Sequence, residues 1–235
     1  ATAAWRLAVQ RQGGPVALAL TRQKLPTLAG TAELANDGVA HGGYVLRRAR
    51  GEDQGKEPEL LLIATGSELQ LAFAAAEALE AETSPIAARV VSLPCWAVFE
   101  AQDEAYRESV IPRGVRHRLT IEAGATTGWD RYAGDDGAML GIDHFGASAP
   151  AGTIFEKLGF TPDRVTDVAR RVVRDGLRGR IPTLDPGHQP AGIGVGDAMP
   201  SGPAAVAVGA GDTTGGGERG DPGVDRTSST DPGHS

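Results

Sequence analysis

Several groups of side chains in this sequence have types and spacings that can do chemistry. Glu122 follows the apolar run Leu119, Thr120 and Ile121. It therefore falls at the C-terminal end of an expected strand, the edge where open α/β sheets bind ligands, and is the leading candidate for a binding site. Thr65-Gly66-Ser67 also follows an apolar run and opens a helical pattern. Amides at such a turn can cradle an anion, but the lone glycine lacks the Gly-x-Gly-x-x-Gly spacing of dinucleotide sites, and a tight turn capped by Ser67 is the favoured reading. Asp135, Asp136 and Asp143 offer oxygen ligands for a divalent cation. Gly134 and Gly137 flank the first two, which favours a turn over a metal site. Asp143, His144 and Ser148 supply an orienter, a base and a hydroxyl, yet a triad needs converging geometry that sequence neighbours rarely give. Ser148 and Pro150 instead sit where a helix start wants them. Cys95, between Pro94 and Trp96, reads as a small buried residue.

Placing these residues takes an alternating scaffold. The spacing predicts strands at Tyr44 to Leu46, Leu60 to Ala64, Ala88 to Leu93, Leu119 to Glu122 and Ala138 to Ile142, with helices between and after them. This order implies a three-layer α/β/α domain over 43–180 with a mostly parallel, about five-stranded sheet. On the helix starting near Ser67, Leu69, Ala72, Phe73, Ala76 and Leu79 form one apolar stripe. Two helices close the unit: one near Pro150 to Leu158, and one with Thr161 as N-cap, Pro162 in its first turn and Val165, Val168, Ala169, Val172 and Val173 facing inward. Upstream, residues 1–14 read as the end of a helix stopped by Gly13-Gly14. Val16 to Leu20 reads as a strand covered on both faces, which presupposes neighbours. Residues 29–42 read as a linker, where the pattern gives way to Gly, Ala, Asn and Asp.

A net charge of -7 argues against a nucleic-acid surface, which needs clustered Lys and Arg. No run approaches the ~20 apolar residues of a membrane span, and no basic segment leads into an apolar run at the start. Cys95 is the one cysteine, so no intrachain disulfide forms; a cytoplasmic setting is expected. From 181 onward Gly and Pro make up roughly a third of the residues, a composition expected to stay disordered. Asp-Pro-Gly-His at 185–188 and again at 231–234 reads as two isolated turns rather than a metal site.

The run Gly141-Ile142-Asp143-His144-Phe145-Gly146-Ala147-Ser148-Ala149-Pro150, followed by Phe155-Glu156-Lys157-Leu158-Gly159-Phe160-Thr161, resembles the closing segment of transketolases. Leu62-Ile63-Ala64-Thr65-Gly66-Ser67-Glu68, Val90-Val91-Ser92-Leu93-Pro94, Glu122-Ala123-Gly124 and Gly128-Trp129-Asp130-Arg131-Tyr132 are similar in order and spacing. Ala4-Trp5-Arg6, Gly14-Pro15 and Thr21-Arg22-Gln23-Lys24-Leu25-Pro26 resemble the end of the preceding, pyrimidine-binding domain. The likeness covers roughly 1–178.

That resemblance implies a remnant of the pyrimidine-binding domain at 1–28, the transketolase C-terminal domain at 43–180, and a tail at 181–235 without counterpart. The intact family transfers a two-carbon ketol unit between sugar phosphates in the pentose phosphate pathway, as a homodimer, with thiamine diphosphate and Mg²⁺ or Ca²⁺. The Gly-Asp-Gly cofactor signature does not occur, and Asn36 is the single asparagine. The resemblance therefore assigns no catalytic, cofactor-binding or metal residue here, expects no cofactor for this chain alone, and predicts a fragment that is inactive by itself. One position carries over. Arg22 matches the arginine that contacts the substrate phosphate, for which a planar guanidinium fork is suited. The alternatives are a C-terminal subunit of a split transketolase needing a partner chain, or a small-ligand regulatory module.

Overall fold

The computed structural model describes residues 1–21 and 23–184; Arg22 and residues 185–235 of the tail expected to be disordered from 181 lie outside the described residues, while Ile181 ends a strand. Its centre is β2 (Leu60–Ala64), five apolar residues that are all fully buried. A strand with no polar face needs cover on both sides, as parallel sheets with flanking helices provide. It pairs in parallel with β3 (Ala88–Ser92) on one side and β4 (Arg118–Ile121) on the other. Beyond β4 lie β5 (Ala138–Leu140) and β6 (Gly179–Ile181), and β1 (Tyr44–Arg47) forms the other edge. The order β1-β3-β2-β4-β5-β6 is parallel throughout except for β1, which runs antiparallel to β3.

Alternate residues of β2 point to opposite faces. Leu60, Leu62 and Ala64 pack against α3 (Leu69–Glu80), α7 (Ala151–Leu158) and α8 (Pro162–Arg174). Leu61 and Ile63 pack against α4 (Trp96–Glu100), α5 (Glu104–Val110) and α6 (Asp130–Ala133). Each fully buried leucine or isoleucine contributes about 1.5–3 kcal/mol. Three layers result, as the sequence predicts, with β6 adding a strand to the five expected.

Several expectations need correction. Residues 16–20 form neither strand nor helix, because no other strand of the described residues runs beside them to complete a ladder. The upstream helix, α1 (Thr2–Gln10), buries none of its residues and leaves Trp5 57% and Val9 79% exposed. The stretch read as patternless contains α2 (Thr31–Ala40), which packs on α1 and β1. Its Gly38, a poor helix former, is required by contact: a Cβ there would stand 2.2 Å from the Tyr44 ring. Cys95 is half-buried rather than buried. Among the described residues no helix is long and apolar enough to cross a membrane.

A helix cap and ion pairs tie the elements together. Thr161 caps α8 as expected, its hydroxyl accepting from the Arg164 amide at 3.3 Å. Arg170 and Arg174 of α8 both reach Glu82, beyond α3, at 2.9 Å. Arg89 of β3 holds Glu52 at 2.5 Å with side chains only 10% and 5% exposed, and donates to the carbonyls of Ser109 and Val110. Breaking such a pair leaves a buried charge uncompensated. Arg89→Ala is expected to cost about 3–5 kcal/mol, and Arg89→Met with Glu52→Met together much less, both read by urea denaturation.

Candidate functional site

Because β2 and β4 pair with Ala64 opposite Ile121, the residues that follow them leave the sheet side by side. The chain then diverges: from β2 through α3 to β3 on one side, and from β4 to β5 on the other. The gap between the two exits is the topological switch point, where open α/β sheets bind ligands. Glu122 stands there, its amide held to the Leu140 carbonyl at 3.0 Å. Facing it, the turn Gly66–Glu68 presents Glu68, which is 3% exposed.

Burial perturbs both carboxyl groups. Burial and then the charge of Glu68 push the Glu122 carboxyl up to about 7. Its Oε2 is closed off from solvent and has no hydrogen-bond partner. Burial also raises Glu68, partly offset by the Ser67 hydroxyl, which donates to Glu68 Oε1 at 2.5 Å. Ser67 is thus engaged with a carboxylate and not with the helix start it was expected to cap; Thr65 precedes the turn without a side-chain cap bond. Two carboxyl groups at the same strand ends repel an anion, so the turn does not serve as a phosphate cradle. The arrangement can hold a proton on Glu122 up to about pH 7 or take up a cation. It forms part of the wall of a cavity of about 1110 Å³, completed by Ala17 to Thr21, Leu25, residues of α2, and Pro94.

The other candidates do not assemble. Asp136 pairs with Arg116 and, at 3.5 Å, with Arg178. Asp143 instead accepts from the Thr126 amide and hydroxyl, both at 2.8 Å. Burial works to raise the Asp143 carboxyl, but these donors and Arg180 outweigh it and hold the group below its ordinary range. Among the described residues no three His, Cys, Asp or Glu side chains stand close enough to hold a metal ion. His144 meets the Phe145 carbonyl at 2.8 Å and the Thr183 hydroxyl at 3.1 Å, not Ser148. Pro150, without a side-chain bond, precedes α7, so Ser148 is not its cap. The described residues thus offer neither a diphosphate cradle nor a metal donor set for thiamine diphosphate. Arg22, the sequence candidate for a substrate-phosphate contact, lies outside them. Sequence reasoning singled out Glu122 but passed over Glu68 as a site residue, although the same strand-end rule applies to it.

The pair makes stability depend on pH. A Glu122 carboxyl that ionises near 7 in the folded state and near 4.5 in the unfolded chain leaves the folded state holding the extra proton between those values. Stability from this group is therefore full below about 4.5 and falls as pH rises to about 7. The expected loss is about 1–3 kcal/mol, the lower end reflecting partial solvent access. Glu122→Gln should remove that slope in urea denaturation series from pH 4.5 to 8.

Comparison with known proteins fits this fold. Residues 42–161 match the family described as the Transketolase-like TK C-terminal domain. Transketolase of Geobacillus stearothermophilus is 53% identical over 163 residues, 69% of this chain and 24% of its own length. The structure of transketolase from Leishmania mexicana superposes with a TM-score of 0.65 at 34% identity, covering 77% of this chain and 25% of the other. Transketolase from Pichia stipitis, solved in complex with sedoheptulose 7-phosphate, gives a TM-score of 0.64 at 37% identity, covering 73% and 23%. The chain thus spans about a quarter of the length of the relatives it matches. With the alternating sheet, the switch-point turn and these matches in agreement, this chain belongs to the transketolase family and carries its C-terminal domain.

Proposed function

We propose that this chain works as the C-terminal part of a transketolase, transferring a two-carbon ketol unit between sugar phosphates only together with the thiamine-binding domains. Those domains lie in the same or another chain, and the working unit is a homodimer in the cytoplasm. The observation that carries the reading is the match at 42–161 joined to an upstream segment that is unsatisfied by itself. Residues 16–20 lack a ladder, and Trp5, Val9 and Leu20 are exposed, as expected of the end of a pyrimidine-binding domain at 1–28 followed by a connection at 29–42. Thiamine diphosphate with Mg²⁺ or Ca²⁺ supplies the carbanion chemistry in this reading and is held by residues of the other domains. This chain contributes the scaffold and, through Arg22, one contact to the substrate phosphate. A single charged hydrogen bond is worth about 1.5–3 kcal/mol, while millimolar affinity takes about 4.1, so Arg22 needs the rest of the site.

The pure chain with thiamine diphosphate, Mg²⁺ and a ketose and aldose phosphate pair is expected to show no ketol transfer. A chimera in which residues 1–184 replace the matching end of the Geobacillus stearothermophilus enzyme is expected to turn over. An active isolated chain, or a folded but inactive chimera, would sink the reading. In the chimera, Arg22→Ala should lower kcat/KM by about 10- to 100-fold, chiefly through KM for the phosphorylated substrate.

A further inference from the structure

Well-buried carboxylates elsewhere in this fold are matched by an arginine. Glu52 sits on Arg89 at 2.5 Å, and Glu80 on Arg47 at 2.6 Å. Glu68 and Glu122 break that pattern. Glu68 is 3% exposed and Glu122 Oε2 is sealed from solvent without a donor, yet no cation of the described residues acts on either carboxyl. Removing a carboxylate from water without a counter-charge is unfavourable, and two side by side add repulsion. The cavity they border is otherwise lined by apolar side chains such as Ala17, Leu18 and Leu20, by hydroxyls such as Thr21, and by the neutral Asn36 carboxamide, none of which carries positive charge. The missing component is therefore one that brings positive charge and N–H donors.

The walls say what kind of molecule carries it. The same N-terminal stretch that closes the cavity exposes Trp5 at 57%, Val9 at 79% and Leu20 at 56%. A free small cation would leave that apolar surface in water, whereas a protein surface covers it while delivering a side chain into the cavity. Guanidinium suits the seat better than ammonium, because its planar fork can address two carboxylates at once and it desolvates more readily. We propose that the cavity between residues 17–21 and the Glu68–Glu122 pair is the docking seat for an arginine side chain presented by the domains that precede this region in transketolases. The inference rests on the proposed function for the identity of the partner. In it, the acidic pair is one half of an interdomain ion pair that fixes how the C-terminal domain sits on its neighbours.

The test compares the chain alone with the chimera at pH 8, measuring Tm for Glu122→Gln and Glu68→Gln in each. In the chain alone, glutamine relieves an uncompensated charge, and each substitution should raise Tm by about 2–4 °C. In the chimera the same substitutions remove the arginine's partner and should lower Tm by a similar amount. Shifts of the same sign in both proteins overturn the proposal; a common decrease would identify Arg22 of this chain as the occupant instead. Where a glutamine variant fails to fold, the unsubstituted proteins decide: raising pH from 5 to 8 should lower Tm of the chain alone more than that of the chimera, and an equal fall overturns the docking. These readouts do not use turnover, so a stable chimera without ketol transfer counts against the proposed function and not against the ion pair. A chimera that does not fold removes the partner reading and this inference with it.

Discussion

The fold depends on covering β2 from both sides. Its five residues offer no polar face, so helices must pack above and below and strands must flank it left and right. Meeting that demand sets the order of connections: the chain goes out to β3, returns past β2 to β4, and continues outward. The divergence of the exits from β2 and β4 follows from the same packing constraint. The carboxyl-lined crevice is thus a by-product of how a wholly apolar strand is sheltered.

Charge is distributed in this molecule with a consistent logic that makes the crevice stand out. Arg89, Arg47, Arg170 and Arg174 each reach a carboxylate on another element, joining segments far apart in sequence. Arg118 is the cationic counterpart, its guanidinium donating to the carbonyls of Pro112, Val115 and Tyr132 in place of a carboxylate. Against this background, two neighbouring carboxyl groups whose burial raises both, with the charge of Glu68 raising Glu122 further, are an energetic debit in the isolated chain. Their environment, more than their residue type, sets them apart from the other carboxylates.

Much of this was legible in the sequence, for identifiable reasons. Leu60 to Ala64 is a continuous apolar run and Ala88 to Ser92 is centred on Val90-Val91, both flanked by breakers, and their bounds were read almost to the residue. Thr161 followed by Pro162 announced α8 because both act locally, through one hydroxyl and one fixed φ. What escaped detection depends on contacts. The helix at Thr31–Ala40 holds Gly38 against the Tyr44 ring, so its weak propensity is outweighed by packing that no window can see. Val16 to Leu20 misled in the opposite sense: the pattern is that of a strand, but a ladder needs a second strand. At the site, Glu122 was found from its place at a strand end. Its coupling to Glu68 required knowing that β2 and β4 are neighbours although β3 lies between them in sequence.

The reversed direction of β1 has a structural consequence of its own. Tyr44, where β1 begins, lies opposite Ser92, where β3 ends. Running antiparallel, β1 therefore receives the chain at the edge of the sheet where the parallel strands finish, and α2 and residues 17–21 arrive on the same rim as Glu68 and Glu122. Had β1 run with its neighbours, everything upstream of residue 44 would have been delivered to the opposite rim, a strand's length away. One inverted strand at the border of the sheet thus acts as the hinge plate of the polypeptide, determining which rim meets whatever precedes it.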